Sequence, residues 1–362
     1  MLFAICVLSC ETKNADSAKA AVPTKNQQAE EASTLIKEKE KNFISLTQLT
    51  NGGDNAEAYF SFDNKNLVFQ ASNKDWGADC DQIFYMPLSG TMEAKPPLLS
   101  TGLGRTTCSY FMPGNKEVLY ASTHLADKAC PESPRTVGGK YVWPIYESFD
   151  IFVADLNGKI TKQLTKEPGY DAEATISPDG KMIVFTSTRS GDLELYTCDL
   201  EGGNVKQITD GLGYDGGAFF SPDSKKLVFR ASRPKTPEAV KAYKDFLAKG
   251  LVQPTNMEIY TCNVDGTDLK QITNLGKANW APYMHPSGNS ILFSSNHHSE
   301  SGRKFNIFSI NIDGTGLKQI TFDDTFDAFP MFSFDGKYLA FSSNRNNGGG
   351  RDTNVFLAEW VD

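Results

Sequence analysis

The stretch Ile176-Ser177-Pro178-Asp179-Gly180-Lys181-Met182-Ile183-Val184-Phe185-Thr186-Ser187 reads as the end of one strand, a tight turn and a second full strand. Pro178 presets φ for the turn, Asp179 offers a short acceptor to nearby backbone, and Gly180 takes positive φ without a Cβ penalty. Met182 to Phe185 then bring the β-branched and aromatic side chains that suit a pleated, buried surface. The same grammar recurs at Phe220-Ser221-Pro222-Asp223, Met284-His285-Pro286-Ser287-Gly288 and Phe332-Ser333-Phe334-Asp335-Gly336. Weaker copies begin at Phe60-Ser61-Phe62-Asp63 and Phe111-Met112-Pro113-Gly114. Anchors at positions 61, 112, 177, 221, 285 and 333 make six copies of one unit. Such internal repetition decides the architecture before any single motif does.

Each copy continues with a third strand, such as Glu194-Leu195-Tyr196-Thr197-Cys198, and a turn such as Asn263 to Gly266. A fourth strand of Lys-Gln-Ile-Thr or Lys-Gln-Leu-Thr type ends at Thr165, Thr209, Thr273 and Thr321. Four antiparallel strands per repeat make the blade of a β-propeller. The last copy stops in its third strand at residues 355–360, and an orphan fourth-type strand precedes the first copy at residues 43–50. The expected fold is therefore all-β: a six-bladed β-propeller over residues 43–362, closed by strand 43–50 completing the last blade and covering its edge.

The repeated Ser-Pro-Asp-Gly-Lys turns and Lys-Gln-Ile-Thr strands resemble the TolB-type six-bladed propellers. The resemblance spans residues 43–362 and is specific for fold, since the motif recurs in register, but much less so for function, because one fold hosts many sites. TolB carries an α/β domain before its propeller, and here residues 1–42 stand in that place. Related propellers also precede α/β-hydrolase domains in prolyl-type peptidases, but the chain contains no Gly-x-Ser-x-Gly.

Residues 2–9 are mostly apolar and end at Cys10. They are too few to span a bilayer. Val7-Leu8-Ser9-Cys10 resembles a bacterial lipoprotein box, which implies a signal segment at 1–10 and lipidation of Cys10. Residues 11–42 are rich in Ala, Lys, Glu, Thr and Gln and read as a flexible tether. The expected location is the bacterial cell envelope, as a periplasmic or outer-membrane lipoprotein touching the membrane only through its anchor.

The two faces of the ring differ in sequence. One carries only tight turns, such as Asp179-Gly180 and Asp313-Gly314. The other holds the long loops between second and third strands, from His124 to about Ser148 in blade 2 and from Arg233 to about Met257 in blade 4. Binding usually resides on such loops. Within the second, Thr236-Pro237-Glu238 starts a helix with a stripe of Val240, Tyr243, Phe246 and Leu247, a partial lid.

Register places a candidate ligand funnel on this face. Six residues before the anchors lie Asn55, Thr106, Asp171, Asp215, Asn279 and Asp327; four before lie Glu57, Cys108, Glu173, Gly217, Ala281 and Phe329. At the matching ends of the second strands stand Asn73, His124, Arg189, Arg233, His297 and Arg345. The carboxylates and amides are expected to point into the channel opening opposite the basic groups, with Trp280 adding an aromatic contact. The competing expectation is that these Asp and Asn side chains cap turns and pair with the nearby Arg.

No catalytic residue and no metal ligand set is expected. Only four His are present, with no His-Glu-x-x-His and no Cys-x-x-Cys. No cofactor is expected, although the sequence leaves a metal ion in the channel open. Cys198 and Cys262 occupy equivalent third-strand positions and read as core residues. Cys80 is a disulfide candidate with either Cys130 or Cys108. Net charge of −8 argues against nucleic acid, which needs a basic footprint. The leading functional expectation is a monomeric, non-enzymatic scaffold binding a protein or peptide at the channel mouth. The alternative is a carbohydrate- or peptide-active enzyme, similar to oligogalacturonate lyases or peptidase-associated propellers, using the same mouth.

Overall fold

A computed structural model describes residues 35–91 and 94–362; the lipidation candidate Cys10 and most of the tether lie outside the described residues. Six antiparallel sheets form the ring. Blade 3 shows the plan, with strands Asp171–Ile176, Met182–Ser187, Glu194–Asp199 and Lys206–Gln207 hydrogen-bonded in chain order. Blades 2, 4 and 5 repeat it, starting at Thr106–Phe111, Asp215–Phe220 and Asn279–Met284. In blade 6 the strand Phe43–Gln48 pairs with Asn354–Trp360, placing Leu46 against Ala358 and Gln48 against Phe356. The ring is closed by its own first strand, which completes blade 6 as its outermost strand.

Three side-chain devices explain the repeat. The Ser177 hydroxyl donates to Asp179 Oδ1 at 2.7 Å and accepts from the amides of Lys181 and Met182, which pins the turn between first and second strands. Ser61, Ser221 and Ser333 make the same bond to Asp63, Asp223 and Asp335. The Thr closing each fourth strand accepts from a third-strand amide: Leu195 to Thr209 at 2.9 Å, Ile259 to Thr273 at 2.8 Å and Ile307 to Thr321 at 2.9 Å. Thr50 does this for Val355 across the closure at 2.9 Å.

The third device is aromatic. Each second strand sets one fully buried ring opposite a third-strand ring: Phe69 with Phe84, Tyr120 with Phe152, Phe185 with Tyr196, Phe229 with Tyr260, Phe293 with Phe308 and Phe341 with Phe356. Their centroids are 5.9 to 6.5 Å apart. Cross-strand aromatic pairs stabilise by up to ~1 kcal/mol each beyond burial, and their repetition accounts for much of the phenylalanine content.

Two departures from the expected plan have local causes. Among the described residues blade 1 is a sheet of three strands, Asp54–Phe60, Asn66–Asn73 and Ala78–Pro87, with only an isolated bridge from Phe84 to Leu98 where the fourth strand should be. Pro96 and Pro97 lack the amides that a paired strand needs there. The second departure concerns residues 35–42, read as the end of the tether. They are docked: Glu40 is buried, bonds Arg345, and accepts from the amide of Phe322 at 3.0 Å, while Leu35 and Ile36 pack against the core of blades 5 and 6.

Candidate functional site

The long loops of blades 2 and 4 meet over one face. The strand Trp143–Pro144 from blade 2 pairs with Leu251–Val252 from blade 4, and the Ile145 amide donates to Gly250 at 2.7 Å. Ahead of that pairing runs α1, Pro237–Leu247, with Thr236 as N-cap accepting from Ala239 and Pro237 in the first turn. Tyr243 and Leu247 anchor α1 to the aromatic cluster beneath, and Tyr243 donates to Asp192. The expected helix and lid are thus present. Their joining into one roof had no local sequence signal, since the two loops come from blades 2 and 4.

Beneath this roof lies a cavity of about 360 Å³ to which all six blades contribute. A narrower extension of about 30 Å³ continues down the axis. Its floor is built from a repeated backbone feature. Glu57, Cys108, Glu173, Gly217, Ala281 and Phe329 all have φ between 43° and 59°. At each of them the pairing of first and second strands slips by one residue, as between Ala172 and Thr175. These are β-bulges with a left-handed residue, a conformation costing about 1–2 kcal/mol for a side chain other than glycine. Five non-glycine residues held this way around one axis mark a constrained centre.

The bulges turn these side chains towards the axis and leave the neighbouring candidates behind. Glu57, Cys108, Glu173 and Phe329 line the cavity. Glu173 accepts from the Tyr214 hydroxyl at 2.6 Å, from Thr186 at 2.8 Å and from the Gly217 amide at 2.8 Å, and is paired with Arg230. Arg230 also donates to the Tyr214 hydroxyl at 2.7 Å and lies between the rings of Trp143 and Tyr214. Its Nε has no hydrogen-bond partner among the described residues. Gly217 is required for this arrangement, because a Cβ there would stand 1.9 Å from Arg230 Nη1. Among the described residues Glu57 has only hydroxyl and thiol partners, Tyr59 at 3.2 Å and the Cys108 side chain. Burial pushes its carboxyl above the ordinary value, and the Glu173 charge adds to the effect. Burial also holds the Cys108 thiol well above its usual range, so it stays neutral.

The rest of the expected funnel is structural. Asp171, Asp215, Asp327, Asn55 and Asn279 are buried within the blades, not in the opening. Arg189 Nη2 holds both oxygens of Asp171 at 2.9 Å, Arg233 pairs with Asp215, and Arg345 holds Asp327 at 3.0 and 3.1 Å. In blade 5 the Ser295 hydroxyl donates to Asn279 at 2.6 Å and contacts His297 Nδ1 at 2.8 Å. Asn55 donates to Gly52 and Thr353 at 2.9 Å, sewing blade 1 to blade 6. Above them, Arg189, Arg233, Arg345, His124 and His297 each cover a ring of their blade's aromatic pair. Blade 1 has Asn73 here and uses Trp76 instead, 5.3 Å from Phe84. The competing expectation of local Asp–Arg pairing is therefore the one the geometry matches.

Trp280 keeps its expected place, lining the cavity and stacked on Phe305 at 4.4 Å. Register alone missed Tyr170, Tyr214, Arg230 and the Arg105–Asp81 pair. Arg230 did carry a signal. Nine residues after the anchors the other copies have Gln70, Ala121, Thr186, Ser294 and Ser342, so an Arg at that position is out of pattern. Cys80 is bonded to Cys130, leaving Cys108 free. Among the described residues no group of three or more His, Cys, Asp and Glu is set to hold a metal ion. No helix there is long and apolar enough to cross a membrane.

Residues 145–244 match the family model described as the TolB beta propeller domain. No curated protein sequence matches the chain. A putative TolB from Agrobacterium tumefaciens has the same fold with a TM-score of 0.55 and 19% identity, over 86% of this chain and 91% of that one. TolB from Acinetobacter baumannii gives 0.51 and 18%, over 85% of this chain and 63% of its own length. An oligogalacturonate lyase from Vibrio parahaemolyticus gives 0.52 and 11%, over 90% and 95%. At such identities the likeness is one of fold. The described structure is a closed six-bladed β-propeller, and residues 145–244 within it are similar to the TolB beta propeller domain.

Proposed function

We propose that the protein is a non-enzymatic, extracytoplasmic binding propeller that takes a segment of a protein or peptide partner into the roofed cavity. The observation that carries this reading is the cavity itself: about 360 Å³, open at the channel mouth, with Trp143, Tyr146, Tyr170, Tyr214, Trp280 and Phe326 among its walls. Concave aromatic surfaces with a few placed polar groups are the usual form of a binding site. The Cys80–Cys130 disulfide supports an oxidising compartment, and lipidation at Cys10 would supply the membrane anchor. The test is an array of random-sequence peptides probed with the full chain and with Trp143→Ala. Spots lost in the variant support the reading, and superimposable arrays overturn it.

A second reading rests on one observation. Three carboxylates, Glu57, Asp81 and Glu173, line the cavity; Asp81 and Glu173 are paired with Arg105 and Arg230, whereas Glu57, raised by burial, has no ion-pair partner among the described residues. Carboxylates held in such different environments can divide acid and base roles, as an enzyme acting on carbohydrate or peptide would require. Turnover of an oligosaccharide or peptide that disappears in Glu57→Gln would favour this reading over stoichiometric binding.

A further inference from the structure

The charges that line the cavity pair off with one exception. Arg105 is paired with Asp81 and Arg230 with Glu173, whereas Glu57 has no cation within ion-pair distance among the described residues. Glu57 lies at the junction of the cavity and its axial extension. Glu57 is thus the one charged side chain of the lining without an ion-pair partner of its own among the described residues. The aromatic walls favour a positive ligand, because ring faces attract cations and do so more strongly where water is excluded. Arg230 already illustrates this, with its guanidinium 5.3 Å from the Trp143 ring centroid and 5.1 Å from that of Tyr214. The unpartnered Nε of Arg230, a residue only 8% exposed, further asks for an acceptor or a bridging water beside the cation.

We propose that the cavity recognises a primary ammonium group carried by a peptide, with Glu57 as its ion-pair partner and the aromatic walls enclosing its stem. The proposal rests on the binding reading above and specifies its ligand class. A lysine side chain and a free amino terminus present the same ammonium. Each also brings a peptide carbonyl that can serve as the acceptor, directly or through water. An anionic or purely neutral ligand offers Glu57 no counter-charge, so only a cationic one gains an ion pair there. The neighbouring Cys108 thiol remains neutral and supplies no competing charge.

The test follows the fluorescence of Trp143 and Trp280, both in the cavity wall, while the full chain is titrated with pentaglycine peptides. One is blocked at both ends and carries a single lysine; its partners carry acetyl-lysine or glutamate, and a fourth has a free amino terminus and no lysine. Saturable quenching is expected with the lysine or the free-terminus peptide, and the stronger of the two identifies the source. Acetylation of the amine, or Glu57→Gln, is expected to weaken binding at least about tenfold. Glu57→Asp, which withdraws the carboxylate by one methylene, serves if the Gln variant does not fold, and should weaken it less. Equal binding of acetylated or glutamate peptides, or wild-type binding by folded Glu57→Gln, would overturn the ammonium assignment while leaving the peptide-binding reading in place. If no peptide binds, this proposal falls, and the array with Trp143→Ala then decides the binding reading separately.

Discussion

Glu173 of blade 3 is paired with Arg230 of blade 4 across a blade boundary, whereas Asp171, two residues earlier, is held by Arg189 of its own blade. Side chains two apart on a regular strand share a face. The left-handed bulge at Glu173 breaks that rule. It sends one carboxylate to the axis and leaves the other inside the blade, so a functional contact and a structural one come from the same strand.

Removing Arg230 should therefore cost more than a surface ion pair would. Arg230→Ala strands the Glu173 carboxylate, 8% exposed, with only neutral donors. Breaking a buried pair from one side costs about 3–5 kcal/mol. Gly217→Ala should approach this loss, since its Cβ would displace the guanidinium and its φ of 59° disfavours any side chain. Urea unfolding checks both, and the double change Arg230→Met with Glu173→Gln should recover part of the loss. A shift in either single variant no larger than that of an exposed Lys→Ala control would refute the structural role.

A second expectation concerns pH. Glu194, nearly buried at the start of the third strand of blade 3, has its carboxyl pushed up from 4.5 to about 8, chiefly by burial and further by Asp215 and Asp192. Its Oε2 has no hydrogen-bond partner among the described residues. Between these two values the folded chain keeps a proton that the unfolded chain releases. Stability from this group is complete below pH 4.5 and falls as pH rises to 8, by at most ~1.4 kcal/mol per pH unit. Glu194→Gln should flatten that decline, so wild type and variant converge at low pH and the variant is more stable at pH 8. Parallel stability curves would refute it.

How far the sequence could be read depends on what each residue touches. The turn serines, the closing threonines and the blade aromatics act within a copy or between adjacent strands, so repetition exposed them. Ser177, Thr209 and Phe185 do what their equivalents do elsewhere in the ring. The cavity is the place where the copies differ. Glu57 and Glu173 were found by register, but so were Asp171 and Asp215, because alignment cannot show the bulge that separates them. The roof depends on pairing Trp143 with Val252, over a hundred residues apart, and no local pattern encodes that partnership.

The Cys80–Cys130 bond ties the outer strand of blade 1 to the loop of blade 2 across a separation of 50 residues. In the chain-entropy account, closing such a loop stabilises by about 4 kcal/mol. Thiol titration of the unfolded, unreduced chain should find Cys108, Cys198 and Cys262 reactive and Cys80 and Cys130 blocked. Cys80→Ser with Cys130→Ser should lower the unfolding midpoint measurably. Five reactive thiols from residue 80 onward would show that the bond does not form.

The last expectation concerns the docked segment ahead of the first strand. Arg345, at 3% exposure, is shared between Asp327 of its own blade and Glu40, whose oxygens lie 2.9 and 3.1 Å from the guanidinium. Glu40 also accepts from the amides of Lys37 and Phe322 at 2.8 and 3.0 Å, and Lys37 reaches Asp323 at 2.9 Å. Losing Glu40 leaves Arg345 still neutralised by Asp327, so Glu40→Ala should cost only a few bonds, on the order of 1–3 kcal/mol. Arg345→Ala instead strands two buried carboxylates and uncovers the Phe341 and Phe356 rings. It should therefore cost more, at least ~3–5 kcal/mol. Hydrogen exchange should separate the effects: Glu40→Ala frees the amides of residues 37–43 while those of Asp327–Phe332 stay protected. Equal losses in the two variants, or unchanged protection of residues 37–43 in Glu40→Ala, would show that the segment is held by apolar packing and not by this shared guanidinium.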